Sequence, residues 1–317
     1  AGALFLVYTL TVFFVGFKAH REGVFSNVIR PWIQGNSSTL SNYLAGMGAN
    51  PEQLRIDSKF KHLETLRAQR DRALNEGSLF ASADDLVPAT ISFADGVTPV
   101  RIRLKGDGVQ HLLGDKWSFR VSVRREGTLF GMKQFSVQHP GTRNYIYEWL
   151  YHKALQREGV IALRYKFVEV SLNGKDLGVY ALEEHFEKRL VENNRRREGP
   201  IVRFDEDAMW REITDQMRPF GVVEDGQSGS YTSSKVDGFQ SGQLLSGPDS
   251  AKRYGQIVQR MEGFRSGRLA TGDVFDVELL GKYFAIVDLL GAEHGSRWHN
   301  IRFYCNPVTT RLEPVGF

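Results

Sequence analysis

A glycine turn and a lysine form the first stretch of this 317-residue sequence whose groups suit phosphate chemistry. Gly106 and Gly108 flank an aspartate, and Lys116 begins the next alternating run. Backbone amides in such a turn can approach an anion, and a strand lysine can then hold a phosphate. A plain turn is the simpler explanation of the same glycines. Because no Gly-Lys-Ser/Thr follows, the stretch is not a Walker sequence.

A glutamate on a predicted helix is the second candidate. Glu148 lies one helical turn before His152. A helix glutamate can pair with a strand lysine and hold it in place, as in protein kinases. A surface pairing between Glu148 and His152 accounts for the same spacing. The sequence leaves both interpretations open.

The third candidate is a tight loop near the end of the sequence, His294 to Asn300. Asn300 begins a predicted strand, where its amide oxygen can reach a metal ion. His294 and His299 lack the spacing of a helical zinc pair, so both are also consistent with ordinary loop histidines. With Cys305 as the single cysteine, an internal disulfide and a cysteine-cluster metal site are excluded.

A hairpin from Tyr165 to Phe186 organises the elements around these candidates. Two alternating runs flank Asn173-Gly174, which is the strongest short-range signal for a hairpin because both residues tolerate positive φ. The second run ends in the carboxylate pair Glu183-Glu184. The sequence therefore predicts a hairpin that carries acidic side chains at one end.

Strands and one helix precede this hairpin, which predicts an α+β fold with an antiparallel sheet and a helix on one face. The helix should bury an apolar stripe of Ile146, Trp149, Leu150 and Leu155. The predicted elements are strands Thr90–Phe93, Val100–Leu104, Trp117–Val123 and Gln134–Gln138, and helix Arg143–Arg157.

The flanking segments are predicted from caps, periodicity and composition. Asn50-Pro51 should open a helix that Gly77 ends. The segment Asp205–Pro248 is poor in apolar residues and should be a mobile insertion. The remaining predictions are a charged helix Glu187–Arg197, helices Ser250–Phe264 and Asp276–Leu290, and a final hairpin of Ile301–Tyr304 and Leu312–Val315.

Composition limits the classes of partner. The sequence is 41% hydrophobic and 25% charged, with a formal charge of +4 and a pI near 9.1. The basic residues are scattered among acidic ones apart from Arg195 to Arg197, a run typical of a solvated helix end. No zinc finger or RNA-binding signature is visible, so nucleic acid is not an expected partner.

The first 17 residues, Ala1 to Phe17, carry no charge and are just long enough for a membrane helix. A signal peptide is the competing interpretation, but no small-residue cleavage site follows. We expect a retained anchor and a single-pass membrane protein. The predicted organisation is an anchor at 1–21, a juxtamembrane linker and flanking helix at 22–86, and the main domain at 87–317.

Five runs between about Pro88 and the end of the chain are distinctive when taken together. They are RLKGDG…GDKWSFRV, LFGMKQFSVQHP, RNYIYEWLYH, VSLNGKDLGVYALEEHF and HNIRFYCNPVTTRLEPVGF. In this order they resemble the spore coat protein H (CotH) kinase-like family. The resemblance implies an abbreviated protein-kinase-like fold, with a sheet lobe and a helical lobe. It implies binding of ATP and magnesium, and phosphorylation of proteins outside the cytoplasm.

By position, the resemblance implies that Lys116 holds phosphate and that Glu148 is its partner. It places Glu183 and Glu184 near the hinge between the lobes, and it makes Asn300 a metal ligand.

The sequence departs from the kinase pattern in two places. The catalytic aspartate of kinases lies about five positions before the metal-binding asparagine, where this sequence has Gly295. His294 precedes it and is the candidate to accept the proton in its stead. The second metal-binding aspartate is expected beyond Phe317.

Two functions follow from the resemblance. The first is a membrane-anchored atypical kinase, with its domain outside the cytoplasm, that transfers phosphate from ATP to a protein or envelope component. The second is a non-catalytic, kinase-like scaffold subunit of a membrane protein complex. Because Gly295 offers no carboxylate, we expect slow turnover at best.

Overall fold

The computed structural model describes residues 50–94, 96–106, 108–207, 209, 230–239 and 241–317, together with seven isolated positions between 8 and 48. The chain divides into two compact units, Ala1–Pro51 and Glu52–Phe317. All elements named below belong to the second unit. The predicted anchor, Ala1 to Phe17, falls largely outside the described residues and stays a prediction. Within the described residues, no helix combines the length and apolar character needed to span a membrane.

The elements of the second unit alternate between strands and helices along the chain. The strands are β1 Gln53–Asp57, β2 Val87–Phe93, β3 Gly96–Leu104, β4 Phe119–Val123, β5 Gln134–Gln138, β6 Tyr165–Leu172, β7 Lys175–Glu184, β8 Ile201–Phe204, β9 Val236–Gly238, β10 Arg302–Cys305 and β11 Leu312–Val315. The helices are α1 Phe60–Glu76, α2 Tyr147–Arg157, α3 Lys188–Asn193, α4 Ser230–Ser233, α5 Ser241–Leu244, α6 Pro248–Arg265, α7 Thr271–Val274, α8 Val277–Leu290 and α9 Glu293–Ser296. The α+β class is as predicted.

The first seven strands close into a barrel in the order β1-β2-β3-β4-β5-β7-β6. Strand β1 pairs antiparallel with β2 and parallel with β6, so one short strand joins the two ends of the sheet. The predicted antiparallel sheet is thus a closed barrel with one parallel pairing, between β1 and β6. Closure satisfies the edge hydrogen bonds that an open sheet exposes.

Alternate residues of the strands fill one hydrophobic core, because successive side chains of a strand point to opposite faces. The helix α1 contributes Leu63 and Leu66 to the same core. The strand residues in it are Leu54, Ile56, Val87, Ala89, Ile91, Val100, Ile102, Leu104, Phe119, Val121, Val123, Phe135, Val137, Val168, Val170, Leu177, Tyr180 and Leu182.

The hairpin of β6 and β7 confirms the prediction from Asn173-Gly174. Asn173 has φ 48° and Gly174 has φ 79°, and Leu172 pairs with Lys175 across the turn. Two consecutive residues in the left-handed region form the tight turn whose twist matches the strands. The turn fixes the register that carries Glu183 to the other end of the barrel.

The prediction of a helix opening at Asn50-Pro51 is wrong. Residues 53–57 form β1, because Leu54 and Ile56 are fully buried and alternate with exposed polar neighbours. Helix α1 begins only at Phe60, and it ends at Gly77 with φ 78°, as predicted. The compact unit therefore begins near Glu52, and β1 and α1 belong to the same body as the strands that follow Val87.

A second sheet, in the order β11-β10-β8-β9, supports the helical half of the unit. Its core includes Met261 of α6 and Tyr283 and Val287 of α8, which confirms both predicted helices. The predicted final hairpin is confirmed by the pairing of β10 with β11. Strand β9 lies inside the predicted insertion; residues 210–229 of that insertion lie outside the described residues, so its mobility stays a prediction.

Helix α2 buries the opposite face from the one predicted. Its buried residues are Glu148, Tyr151, His152 and Leu155. Of the predicted apolar stripe only Leu155 is buried; Ile146 is 58% exposed, and Trp149 and Leu150 are exposed as well. The helix turns its polar side inward because the surface it covers is polar.

We predict that Ile56→Ala lowers the free energy of unfolding of the full chain by about 2–5 kcal/mol, as expected for a fully buried side chain. Val97→Ala, at a 68% exposed position of β3, should change it by less than about 0.5 kcal/mol. Denaturant unfolding measures both. Equal, small effects would show that β1 is not part of the folded barrel.

Candidate functional site

The register of the barrel carries a row of polar residues across its outer face. Arg103 pairs with Arg120, Arg120 with Ser136, Ser136 with Glu183, and Glu183 with Tyr165. On the first four strands the adjacent residues Ile102, Val121, Val137 and Leu182 fill the core, so these side chains point away from it. Tyr165 lies on the same face, because it pairs directly with Glu183. Ser136 and Glu183 are nevertheless buried, because α2 covers this part of the face. The ring of His152 stacks on that of Tyr165 at 5.7 Å.

A lysine that follows β3 forms a closed network with two residues of this face. Lys105 Nζ donates to Glu183 Oε1 at 2.9 Å, to Glu183 Oε2 at 3.0 Å and to Gln138 Oε1 at 2.7 Å. Gln138 Nε2 donates to Glu183 Oε2 at 2.8 Å. The amide orientation follows from the network, since a flipped amide would face nitrogen to nitrogen and oxygen to oxygen.

The network fits a charged pair. An ammonium has three donors, and Lys105 has three acceptors within hydrogen-bond distance. Burial lowers the pKa of Lys105, against the attraction of Glu183. Burial would raise the pKa of Glu183, but the charges of Lys105 and Arg120 outweigh it and lower that pKa. Because all three hydrogen-bond distances match the charged form, we assign the pair as ammonium and carboxylate.

Helix α2 adds a second carboxyl to the cluster. Glu148 is buried, and its Oε2 lies 3.5 Å from Arg143 Nε. Burial, and next the charge of Glu183, raise the pKa of Glu148, whereas Arg143 and Lys105 act in the opposite direction. The two glutamates therefore differ in character: Glu183 is firmly ionised, and Glu148 takes up a proton more readily.

Several buried polar atoms beside this cluster have no hydrogen-bond partner among the described residues. They include the Ser136 hydroxyl, the Tyr165 hydroxyl and both ring nitrogens of His152. Burial lowers the pKa of His152 to about 4, against the opposing charge of Glu183. His152 is thus neutral at pH 7, and its predicted surface pairing with Glu148 is not formed.

The loop before β10 brings two predicted residues together. Asn300 Nδ2 lies 3.4 Å from the ring nitrogens of His294. Asn300 is buried, whereas His294 keeps solvent contact. Partial burial, and then the charges of Arg143, His299 and Arg302, lower the pKa of His294. The carbonyl of His299 accepts a hydrogen bond from Arg302 Nη1 at 2.7 Å, so His299 helps to fix the loop.

Gly295, which the resemblance aligns with the catalytic aspartate of kinases, has no room for a side chain. A Cβ at Gly295 would lie 2.3 Å from the Phe317 carbonyl oxygen and 3.2 Å from the Tyr283 hydroxyl. Tyr283 also donates to the Gly295 carbonyl at 2.8 Å. The packing of this loop therefore leaves no space for a carboxylate side chain at position 295.

In the glycine turn, the side chain of His111 occupies the space beside Gly106. Gly106 has φ 106°, and a Cβ there would lie 2.4 Å from His111, so the position requires glycine. His111 is buried and within 3.1 Å of the Ser118 hydroxyl. Gly108 has an ordinary φ of −86°. The roles of Gly106 and Gly108 in nucleotide binding stay predictions.

The predicted pairing of Lys116 with Glu148 is not seen. Lys116 Nζ donates to the Val179 carbonyl at 3.3 Å and lies 5.7 Å from the Tyr180 ring. Lys105 is instead the lysine in the acidic cluster. Sequence reasoning missed Lys105, Gln138 and Arg143. One feature of the sequence could have indicated Lys105: it comes two residues after Arg103, so it continues the polar face of β3 just beyond the end of the strand.

A cleft of about 1620 Å³ lies apart from this cluster. Lys133, Glu187, Arg253 and Arg260 are among its lining residues, and none of the predicted site residues line it.

Comparison with protein families gives one match. The family model described as "CotH kinase protein" matches residues 102–313, more than half of the chain. The matched range contains every residue of the cluster described above. Comparison with curated proteins gives no match.

We predict that acid destabilises the protein through His152. A folded pKa of about 4 lies below the value of about 6.5 for an unperturbed histidine, so only the unfolded state binds a proton in this interval. His152 then removes on the order of 3 kcal/mol of stability as the pH falls from about 6.5 to about 4. Unfolding of the full chain measured across this range should be less pH-dependent in His152→Gln. Parallel curves for the two proteins would contradict the assignment.

Proposed function

Because the chain belongs to the CotH kinase family, we propose that its second unit is a kinase-like domain that binds ATP and transfers phosphate to a protein or envelope component. The observation that carries the proposal is the buried ion pair of Lys105 and Glu183, set among further cations. Arg120 and Arg143 both lower the pKa of Glu183, so the cluster has a surplus of positive charge. Such a surplus suits a polyphosphate.

The arrangement of elements supports a small lobe of the kinase type. Strands β3-β4-β5-β7-β6 are consecutive antiparallel neighbours, and α2 lies between β5 and β6 in sequence. The barrel adds β1 and β2 to this set. A separate core around α6 and α8 supports a helical lobe after the hinge predicted at Glu183 and Glu184.

The roles expected from the resemblance are redistributed in this proposal. In protein kinases a strand lysine pairs with a helix glutamate. Here Lys105 takes the role expected of Lys116, and Glu183 takes the role expected of Glu148. Both partners then lie on the barrel, so its rigid sheet sets the position of the ammonium. Glu148 remains on α2 and faces Arg143.

A divalent cation fits this site only in part. Among the described residues no group of three or more His, Cys, Asp or Glu side chains could hold a metal ion. Magnesium usually takes one or two protein oxygens and completes its shell with phosphate and water. Asn300 would supply one such oxygen. The ion, when bound, would neutralise charge on the phosphates.

The proton of the attacking hydroxyl would go to His294 in this proposal. Gly295 offers no side chain, and His294 lies beside Asn300 with its ring open to solvent. A histidine with a lowered pKa is neutral at pH 7 and can accept a proton, but it is a weak base. Slow transfer is the expected result.

A non-catalytic scaffold is the second proposed function, and one observation favours it. Lys105 is only 7% exposed, and its three donors are already taken by Glu183 and Gln138. A phosphate reaching Nζ must displace one of these partners. In this alternative the domain binds nucleotide weakly or not at all and acts as a subunit of a membrane complex.

The proposed location rests on the sequence of the first 17 residues, which are uncharged. They would anchor a single-pass protein, with the kinase-like domain outside the cytoplasm and close to envelope substrates.

We predict that the full chain gains thermal stability with ATP and magnesium, by about 2.7 kcal/mol at roughly 100 times Kd. Lys105→Gln/Glu183→Gln should lose this gain. The double change removes both charges of the buried pair and keeps hydrogen-bonding groups, so folding is retained. Lys116→Gln, the matched control, should keep the gain. Differential scanning calorimetry measures the shifts.

If Lys116→Gln lost the stabilisation by ATP and the double variant kept it, the roles proposed for Lys105 and Glu183 would be contradicted. An unchanged melting temperature of the wild-type protein with ATP would contradict nucleotide binding altogether. Phosphate transfer to protein that disappears in Asn300→Ala and His294→Ala would exclude the scaffold alternative.

A further inference from the structure

We propose that Arg143 is the anion-binding residue of the cluster and contacts the terminal phosphoryl oxygens of the ligand. This inference rests on the proposed function and deepens it. It assigns the first contact with phosphate to a side chain that neither the motif nor the family match singles out. Arg143 differs from the neighbouring lysines in its available donors, in its access to solvent and in the backbone that holds it.

The guanidinium of Arg143 is only lightly engaged. Its contact among the described residues is an ion pair from Nε to Glu148 Oε2 at 3.5 Å, beyond ordinary hydrogen-bond length. An arginine has five N–H donors in a planar fork. Most of those donors are therefore available to an incoming oxyanion.

The neighbouring lysines, by contrast, already donate hydrogen bonds to other groups. Lys105 donates all three of its hydrogen bonds to Glu183 and Gln138. Lys116 binds the carbonyl of Val179 outside the cluster. The side chain of Arg143 is also 21% exposed, against 9% for that of Lys105, so solutes reach it first.

The groups around Arg143 suit a phosphate. Burial lowers the pKa values of Lys105, His111 and His294, and the charge of Arg143 adds to this effect, so all three groups lie within range of its charge. Neutral His111 and His294 can form hydrogen bonds without adding negative charge. Glu148, the only ion-pair partner of Arg143 among the described residues, has a raised pKa and holds the guanidinium weakly. A doubly charged oxyanion competes well with such a partner.

The backbone after Arg143 is strained in a way that fixes its position. Asn144 has φ 48° and Tyr145 has φ 61°, so two consecutive residues other than glycine lie in the left-handed region. The Tyr145 amide donates to the Pro140 carbonyl at 2.9 Å and closes the turn Pro140–Arg143. Strain of this kind persists where the surrounding structure enforces it, and it is concentrated at functional sites.

The ligand chemistry is therefore a tetrahedral oxyanion with two adjacent oxygens, which a planar guanidinium can bind in a bidentate manner. A nucleotide and a free polyphosphate share this chemistry. The nucleoside part would make no contact with Arg143.

The test is calorimetric titration of the full chain with Mg-ATP, pyrophosphate and adenosine. We expect Arg143→Gln to weaken Mg-ATP and pyrophosphate binding roughly tenfold or more, the usual effect of losing charged hydrogen bonds. Arg143→Lys keeps the charge and loses the fork, so it should weaken both ligands less. Adenosine binding should not change. Arg157→Gln is the matched control, because it removes an exposed arginine from the far end of α2.

Equal affinities of wild type and Arg143→Gln for Mg-ATP would overturn this inference and leave the proposed function standing. Failure of the wild-type protein to bind any phosphate ligand would overturn both. If Arg143→Gln does not fold, Arg143→Lys decides: wild-type affinity in that variant contradicts bidentate binding. Equal weakening by Arg157→Gln would show a general charge effect and would also contradict the assignment.

Discussion

The carboxylate of Glu183 is 1% exposed and cannot remain charged inside a protein without a cation. Lys105 supplies that cation, and Gln138 satisfies the remaining donor and acceptor of the network. Removing either charge leaves the other buried and unpaired, at a cost of about 3–5 kcal/mol. The register of the sheet meets this constraint, because the pairing of β3 with β4, β4 with β5 and β5 with β7 brings Lys105, Gln138 and Glu183 to the same side. The fold therefore positions the ion pair, and the proposed chemistry depends on that position.

The same constraint explains the inverted helix α2. Its apolar residues Trp149 and Leu150 were expected to face the domain, but the surface that α2 covers contains Ser136, Glu183 and Tyr165. A helix buries whichever face complements its partner, so Glu148 and His152 point inward. Apolar spacing predicted the helix correctly and its orientation wrongly. Periodicity describes one element at a time, whereas the polar row exists only after five strands are in register.

Local signals accordingly predicted local structure well. Asn173-Gly174 gave the hairpin, Gly77 the end of α1, and alternation gave β2 to β5. Closure by β1 could not be predicted, because its parallel pairing with β6 joins residues more than a hundred positions apart. For the site, the sequence singled out Glu148, Glu183, His294 and Asn300. Asn300 lies beside His294, and the charge of Glu183 acts on both Glu148 and His294. Lys105 was not predicted from the sequence, because the glycine turn followed by Lys116 matched a known phosphate-binding pattern. Lys105 reaches Glu183 only through the register of β3 with its neighbouring strands.

A double-mutant cycle on the unfolding free energy of the full chain tests the ion pair most directly. The proteins are wild type, Lys105→Gln, Glu183→Gln and the double variant. If Lys105 and Glu183 neutralise one another inside the protein, each single change should cost about 3–5 kcal/mol. The double change should then cost far less than their sum, with a coupling of roughly 2 kcal/mol or more. Additive effects, with coupling near zero, would show that the two side chains do not form the interaction on which the site depends.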